Sequence, residues 1–210
     1  GNFMRYSKHF ILLATCLISV FLLADSNQKL VQSTDPELRL EWHKQHQAMK
    51  ETSPFKNLEW RFLGPDVISG RCTDVDVPAG SKKVIYAGSA TGGLWKTENT
   101  GITWEPIMDE GPSISIGDIA ISPSNPDIIW VGTGEANIFR ASTAGTGVYK
   151  SIDAGETWKH MGLAGTHTIG RIVIHPVDPK IVYVAASGHE WTDNEERGVF
   201  KTIDGGNTWE

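Results

Sequence analysis

A ten-residue phrase recurs three times in this 210-residue chain and restricts the folds that the chain can adopt. It reads KTENTGITWE at 96–105, KSIDAGETWK at 150–159 and KTIDGGNTWE at 201–210, so its tryptophans are spaced 54 and 51 residues apart. Repeats of this length are supersecondary units that bury their hydrophobic faces only by stacking on one another. The sequence therefore predicts an array of similar units.

Each unit contains the same parts in the same order. An apolar strand opened by glycine comes first, then a turn rich in Pro, Asp or Asn, then a second strand and a third, shorter strand that runs into the phrase. The second strands read KVIYAGSA, DIIWVGTG and KIVYVAAS, and the third strands read GLWKT, GVYKS and GVFKT. A fourth strand begins at the tryptophan of the phrase. Four short strands per period predict an all-β fold, a β-propeller with four-stranded blades, of which this chain holds about three.

The composition agrees with this fold class and disfavours one class of partner. The chain has 22 glycines, 10 prolines and 8 tryptophans, a composition typical of many strands joined by turns. Its net charge of −6 would repel phosphate backbones, so no nucleic-acid partner is expected.

The first 24 residues read as a secretory signal peptide. Arg5 and Lys8 precede the apolar run from Phe10 to Ala24, and Gly1 to Phe3 stand before the apparent initiator Met4, so those three residues are treated as an artefact. A secreted, periplasmic or cell-envelope location in a bacterium follows, with no stable membrane span after cleavage; the alternative is an uncleaved anchor.

Residues 25–57 form a linker with one short helix, and residues 58–210 form the propeller. Asp35 is suited to cap that helix, Pro36 to begin it, and it is expected to end near Thr52. Apart from Cys16 in the leader, Cys72 is the one cysteine, so no internal disulfide is expected, and Cys72 is predicted to be a buried strand residue.

The repeated phrase, S/T-x-D-x-G-x-T-W, suits a hairpin turn between the third and fourth strands. The Asp accepts backbone N–H bonds, Gly supplies a positive φ and Trp packs between blades. Because the same residues recur in every unit, their predicted role is structural. They are Asn99, Gly101, Trp104, Asp153, Gly155, Trp158, Asp204, Gly206 and Trp209.

This phrase resembles the Asp-box, or BNR repeat, of sialidases, xyloglucanases, photosystem assembly propellers and the sortilin/Vps10 receptor domain. With WRFLGPDVISGR (60–71), YAGSATGGLWKT (86–97) and GTGEANIFRASTAGTGVYKS (132–151), the chain is similar to secreted bacterial BNR-repeat propellers of the sortilin type. The resemblance covers about 58–210. It implies a propeller whose remaining blades lie in a longer protein, with an exposed sheet edge in this piece alone. Many such proteins are labelled glycosyl hydrolases on repeat similarity.

Strand alternation in a propeller places the first-strand starts and the loops after the second strands on one face, opposite the repeated turns. The residues predicted to form a ligand-binding face are Arg71, Asp118, Glu135, Arg140, Arg171, His189 and Glu190. Arg71 and Arg171 could clamp a carboxylate or pair with Asp118 as an ion network. Glu135 could bond to backbone or to Arg140, or act on a ligand, and is the one weak catalytic candidate.

The xyloglucanase resemblance implies a catalytic acid in the first of these loops, where this sequence has Ala90. The matching positions in the next blades were assigned as Gly134 and Gly188, so the two-carboxylate mechanism loses one partner. His189, Glu190 and Asp193 lack a strong metal spacing, and no motif for a cofactor is present, so neither metal nor cofactor is predicted.

The sequence therefore favours binding of a peptide, protein or glycan on the channel face over catalysis. A glycoside hydrolase that shares its acids with further blades is the first alternative, and a cell-envelope scaffold or assembly factor is the second.

Overall fold

The computed structural model describes residues 33–59, 70–137 and 142–210, and this part of the chain contains one α-helix and eleven β-strands. All of them belong to one structural unit, residues 34–210. The helix, α1, spans Pro36–Thr52. The strands are β1 (Cys72–Asp76), β2 (Ile85–Ser89), β3 (Leu94–Thr97), β4 (Glu105–Pro106), β5 (Ile116–Ile121), β6 (Ile129–Thr133), β7 (Val148–Ser151), β8 (Lys159–His160), β9 (Ile169–Ile174), β10 (Val182–Ala186) and β11 (Gly198–Thr202).

The strands form three antiparallel sheets in sequence order, which we call blades 1, 2 and 3. Blade 1 is β1-β2-β3-β4, blade 2 is β5-β6-β7-β8, and blade 3 is β9-β10-β11. At the outer edge of blade 3, Glu210 exchanges two backbone hydrogen bonds with Lys201, of 2.8 and 2.9 Å, as a fourth strand would. The predicted all-β propeller fold with four-stranded blades is confirmed.

The strand register aligns the three blades residue by residue. In each, a bulge follows the first paired residue of the innermost strand, after Cys72, Ile116 or Ile169. In the second strands, Tyr86, Trp130 and Tyr183 occupy one position, and each pairs with a third-strand lysine that lies over its ring.

The hydrophobic core lies between blades, as stacked sheets require. One cluster joins blades 1 and 2 and contains Tyr86, Leu94 and Ile119, and another joins blades 2 and 3 around Trp130. The blades approach so closely that a Cβ added at Gly132 would lie 2.3 Å from Cγ2 of Ile169. A side chain at that position would separate the two sheets.

The three repeated turns share one hydrogen-bond pattern. In blade 2 the Ser151 hydroxyl donates to Asp153 Oδ1 (2.7 Å) and accepts from Gly155 N (2.9 Å), while Thr157 donates its amide to Oδ1 and its hydroxyl to Oδ2 of Asp153. Asp204 makes the same contacts in blade 3. In blade 1, Asn99 Oδ1 accepts from Thr103 N, but its side-chain amide donates to Thr103 Oγ1, whereas an Asp would accept from that hydroxyl. The turn is thus closed by side chains within six residues.

The tryptophan that ends the turn ties each blade to the one before it. Trp158 Nε1 donates to the Ile107 carbonyl (2.8 Å), and Trp209 Nε1 donates to the Met161 carbonyl (2.7 Å). Trp104 belongs to blade 1, which no described sheet precedes, and it is 38% exposed.

Helix α1 begins and ends where the sequence predicts. Asp35 Oδ1 accepts from Glu37 N (2.9 Å), which satisfies one of the free N–H groups at the helix start. The helix buries no residue fully and is held by polar contacts, with Arg39 Nη1 donating to the Gly145 carbonyl (2.5 Å) and Lys50 paired with Glu110.

Cys72 is exposed, so the prediction of a buried strand residue is wrong. Its register equivalents, Ile116 and Ile169, are fully buried because they face the preceding blade. Blade 1 is the first described sheet, so the side chain at this position has no sheet to pack against.

Candidate functional site

The face that carries the starts of β1, β5 and β9 and the loops after β2, β6 and β10 is called the site face here. The repeated turns lie on the opposite face, where their backbone contacts the turns between first and second strands, as when Ala154 N donates to Asp127 O (3.0 Å). The structure thus separates the site face from the residues predicted to be structural.

Glu135 and Arg71 form the most buried ion pair of the site face. Arg71 Nε donates to Oε1 (2.8 Å) and Nη2 donates to Oε2 (2.5 Å), a two-pronged contact across 64 residues of sequence. The Glu135 side chain is fully buried, whereas that of Arg71 is 39% exposed. The hydrogen bond with Glu135 raises the pKa of Arg71. Both carboxylate oxygens of Glu135 therefore hold a guanidinium in place.

Backbone geometry fixes Glu135 just beyond the end of β6. Gly134 has a φ of +86°, and a Cβ there would lie 1.8 Å from the carbonyl oxygen of His167, so the loop requires glycine. Glu135 N then donates to Ser115 Oγ (3.1 Å), which joins the loop to the start of blade 2.

Asp118 and Arg171 form a second pair, placed by equivalent positions of β5 and β9. Asp118 Oδ2 accepts from Ile172 N (2.6 Å), and Oδ1 accepts from Arg171 Nη1 (3.3 Å). Asp74 accepts from Ile119 N in the same way one blade earlier. The carboxylate at this position therefore binds the next blade, and Arg171 replaces it in blade 3.

Burial has a measurable effect on Asp118, which is 3% exposed. Removal from water raises the pKa of Asp118 to about 6, and the nearby charge of Asp74 adds to the rise. The Ile172 N–H and the Arg171 guanidinium act in the opposite direction. In the strand register, Asp74 of blade 1 is equivalent to Asp118 of blade 2, and Arg71 is equivalent to Ser115. Asp118 pairs with Arg171.

A cavity of about 420 Å³ opens on the site face between Glu135 and the loop after β10. It brings together three of the predicted residues: Glu135, His189 and Glu190. Arg140, also predicted for this face, lies outside the described residues. Further lining residues that the sequence did not single out are Thr168, Ser187, Thr192 and Arg197.

His189 is held in one orientation on the cavity wall. Its Nε2 lies 3.1 Å from the Gly165 carbonyl and its Nδ1 lies 2.7 Å from Thr192 Oγ1. A carbonyl only accepts, so the proton belongs on Nε2 and Nδ1 accepts from the threonine. The ring stacks on His167 with centroids 3.5 Å apart. Burial and the neighbouring His189 lower the pKa of His167 to about 4.

Glu190 and Trp191 differ sharply in exposure although they are adjacent. Glu190 Oε1 is buried and has no hydrogen-bond partner in the described part of the chain, whereas Trp191 is 74% exposed. Both line the cavity. The loop is stabilised from within by Arg197, whose Nη2 donates to the carbonyl of His189 and to Asn194 Oδ1. The cavity wall thus combines a carboxylate that has one buried, unsatisfied oxygen with a broad indole surface.

The register corrects one position assigned from sequence. Ser89, Thr133 and Ala186 are equivalent, so the counterpart of Ala90 in blade 3 is Ser187 and not Gly188. Ala90 itself is 1% exposed. None of these three positions carries an acid.

Residues 33–59, 70–137 and 142–210 contain neither a cluster of metal-binding side chains nor a membrane-spanning helix. No group of three or more His, Cys, Asp or Glu side chains is placed to hold a metal ion. No helix there combines the length and apolar character needed to cross a bilayer.

Comparisons with known proteins indicate a propeller-like relationship. No protein-family model matches the chain. It is similar to the xyloglucanase Xgh74A of Acetivibrio thermocellus, with 27% identity over 141 residues, which cover 61% of this chain and 16% of that protein.

Among the solved structures that resemble the chain are two of GH74 enzymes. The structure of an ancestral GH74 enzyme has a TM-score of 0.50 and 19% identity and covers 67% of this chain and 18% of its own. The GH74 enzyme of Niastella koreensis has a TM-score of 0.50 and 24% identity over 65% of this chain and 20% of its own. These likenesses show a propeller-like fold. The chain spans a fifth or less of the length of each relative.

Proposed function

We propose that this chain is part of an exported, BNR/Asp-box β-propeller of the sortilin-like type that binds a carbohydrate in the site-face cavity. The observation that carries the proposal is the exposed indole of Trp191 beside Glu190 in that cavity. The closed side-chain pattern of the repeated turns supports the Asp-box assignment. The basic and apolar residues 5–24 support export.

A sugar suits this cavity because it combines two kinds of surface. The C–H face of a pyranose packs on an aromatic ring, and its hydroxyls both donate and accept hydrogen bonds. Trp191 supplies the ring, Glu190 and Asp193 supply acceptors, and Arg197 supplies donors. Rotation of the Glu190 carboxylate towards a sugar hydroxyl would give its buried Oε1 the partner that it lacks, since a buried oxygen left unsatisfied costs free energy.

Binding without hydrolysis agrees with the state of the acids on this face. Hydrolysis of a glycosidic bond needs two carboxyl groups that flank the bond, one of them able to give up a proton. Glu135 has both oxygens bonded to Arg71, and Ala90 occupies the position where the xyloglucanase resemblance implies an acid.

A glycoside hydrolase is the second candidate function. It is favoured by the similarity to xyloglucanase Xgh74A and by the unpartnered Glu190 Oε1, with a second acid contributed by further blades. Release of reducing sugar by the unmodified protein separates the two, because a binding protein releases none. If sugar is released, Glu190→Gln should abolish the release.

The experiment uses the protein expressed from its complete reading frame. Binding to soluble plant and bacterial polysaccharides is measured by isothermal titration calorimetry for the unmodified protein, for Trp191→Ala and for the control Trp42→Ala. Trp42 is also exposed, at 52%, but lies on α1. Removing Trp191 should weaken binding at least about tenfold, as expected for loss of a stacking surface, and the control should bind normally. Equal affinities in all three proteins would refute a site at Trp191. A peptide or protein ligand would then be sought.

A further inference from the structure

A second cavity lies away from the site face, between α1 and the outer strands of blades 1 and 2. It measures about 1110 Å³, more than twice the volume of the cavity at Trp191. Pockets of 300–1,000 Å³ suit small molecules, so this cleft has room for a longer ligand.

Helix α1 spans this cleft because it is fastened near both of its ends. Arg39 donates to the carbonyls of Gly145 and Ala164, while Gln47 and Lys50 contact Glu110. The eight residue steps from Arg39 to Gln47 cover about 12 Å of helix. Between these contacts the helix is not packed tightly on the blades, and Leu40, His43 and Lys44 line the cleft.

The floor of the cleft is apolar and the rim is acidic. Leu40, Pro106, Ile107 and Trp158 provide apolar surface. Six carboxylates and two lysines also line the cleft; the carboxylates are Glu37, Glu98, Glu105, Asp109, Glu110 and Glu156.

Most of this negative charge is not neutralised within the protein. Glu98 pairs with Lys96, and Glu110 pairs with Lys50. In the part of the chain that the structure describes, the other four carboxylates form no ion pair, and Lys44 is the one remaining lysine in the lining. The cleft therefore carries a surplus of negative charge above an apolar floor, which attracts cationic ligands.

The wall opposite α1 includes β4, the edge strand of blade 1. β4 is only two residues long and Pro106 has no N–H, so this edge offers little backbone pairing. An extended peptide fits because its side chains alternate between two sides of its backbone and meet the apolar floor and the acidic rim at once. We propose that this cleft is a docking site for an extended peptide segment in which Lys or Arg alternates with apolar side chains. The basic side chains meet the rim and the apolar ones meet the floor.

Binding is tested on the protein from its complete reading frame by fluorescence anisotropy. The probe is a fluorescein-labelled octapeptide of alternating Lys and Leu, and the comparison peptides alternate Glu with Leu and Lys with Ser. We expect micromolar binding of the Lys/Leu peptide, about tenfold weaker binding of the Lys/Ser peptide because it lacks apolar contacts, and no binding of the Glu/Leu peptide.

The rim is tested by the double variant Glu105→Gln and Asp109→Asn. Its matched control is the double variant Glu41→Gln and Glu51→Gln, which removes the same charge from exposed positions on α1 outside the lining. The rim variant should bind the Lys/Leu peptide about fivefold more weakly, and the control should stay within about twofold of the unmodified protein. Circular dichroism confirms that both variants are folded.

Three results would overturn the proposal: no Lys/Leu binding up to about 1 mM, equal binding of the Glu/Leu peptide, or equal weakening in the rim and control variants. Trp191→Ala should leave peptide binding unchanged, because the cleft and the site-face cavity share no lining residue.

Discussion

At the scale of single residues, carboxylates of the same type have opposite pKa shifts because their surroundings differ. The hydroxyls of Thr157 and Ser151 hold the pKa of Asp153 down at about 2, and similar bonds lower that of Asp204. Burial instead raises the pKa of Asp118 to about 6. Each shift predicts a pH dependence of stability with its own sign.

Asp153 stabilises the fold when ionised. Its pKa is lower in the folded than in the unfolded state, so its contribution is complete above about pH 4 and is lost as pH falls towards 2. Asp153→Asn should fold normally, because Asn99 closes the same turn in blade 1 with its amide bonded to Thr103. The variant should lose less of its urea midpoint than the unmodified protein between pH 5 and pH 2.5. Parallel curves for the two proteins would contradict this prediction.

Asp118 has the reverse sign. A folded-state pKa above the unfolded value gives a contribution that is complete below about pH 4 and is lost as pH rises through about 6. Asp118→Asn removes that loss and gives up an ion pair with Arg171, whose side chain is 66% exposed. We expect the variant to be about 1 kcal/mol more stable at pH 7 and no more stable at pH 4, measured by urea unfolding. A variant destabilised at pH 7 would show that the ionised carboxylate is favoured instead.

The repeat positions predicted a common face for Glu135 and Arg71 but not that the two side chains pair. Local spacing suggests Arg140, five residues away, as a partner for Glu135, whereas the Glu135 carboxylate binds Arg71 in another blade. His167 was not singled out at all, although it stacks on His189. Such contacts depend on how segments distant in the sequence pack against each other, and the spacing of neighbouring residues does not predict that packing.

At the scale of elements, the period and the glycine positions predicted the strands and turns well, because each turn is closed by its own side chains. The helix was predictable from Asp35 and Pro36 for the same local reason. The equivalence of Gly188 with Ala90 is wrong by one residue. The second strands KVIYAGSA and KIVYVAAS align without a gap and end at Ala90 and Ser187, and the strand register gives the same match.

Two adjacent glycines of the third turn test how tightly a turn packs on the preceding blade. Gly206 has a φ of +95°, and an added Cβ would lie 2.4 Å from Cη2 of Trp130 and 3.0 Å from Cε of Met161. Gly206→Ala should cost about 3 kcal/mol of unfolding free energy, from backbone strain and the ring clash together. Gly205→Ala is the control, at φ +76° with the mobile Nζ of Lys150 as its nearest neighbour, and should cost about 1 kcal/mol. Similar losses at both sites, by urea unfolding, would argue against close packing.

At the scale of the whole molecule, the two outer blades have one open face each. Val75 of blade 1 is 54% exposed, whereas its equivalent Ile119 is 3% exposed. In blade 3, Tyr183 is 41% exposed, whereas its equivalent Trp130 is fully buried. At these two strand positions the side chain is thus exposed where no described sheet adjoins it and buried where one does, and we expect further blades to cover both faces.

A single substitution on the open face of blade 3 tests that expectation. Val199 is 70% exposed, and its equivalent Val148 is fully buried by blade 3. In the protein from its complete reading frame, Val199→Asp should cost about 3 kcal/mol, since a covering blade would bury an unpaired carboxylate. The control is Val177→Asp, at a position that is 77% exposed. Its equivalent in blade 2, Ser124, stays exposed although blade 3 adjoins that blade. The control should therefore change the free energy of unfolding by no more than about 0.5 kcal/mol. If urea unfolding shows the two variants to be equally stable, no sheet packs on blade 3, and the exposed valine and tyrosine must face solvent or a different partner.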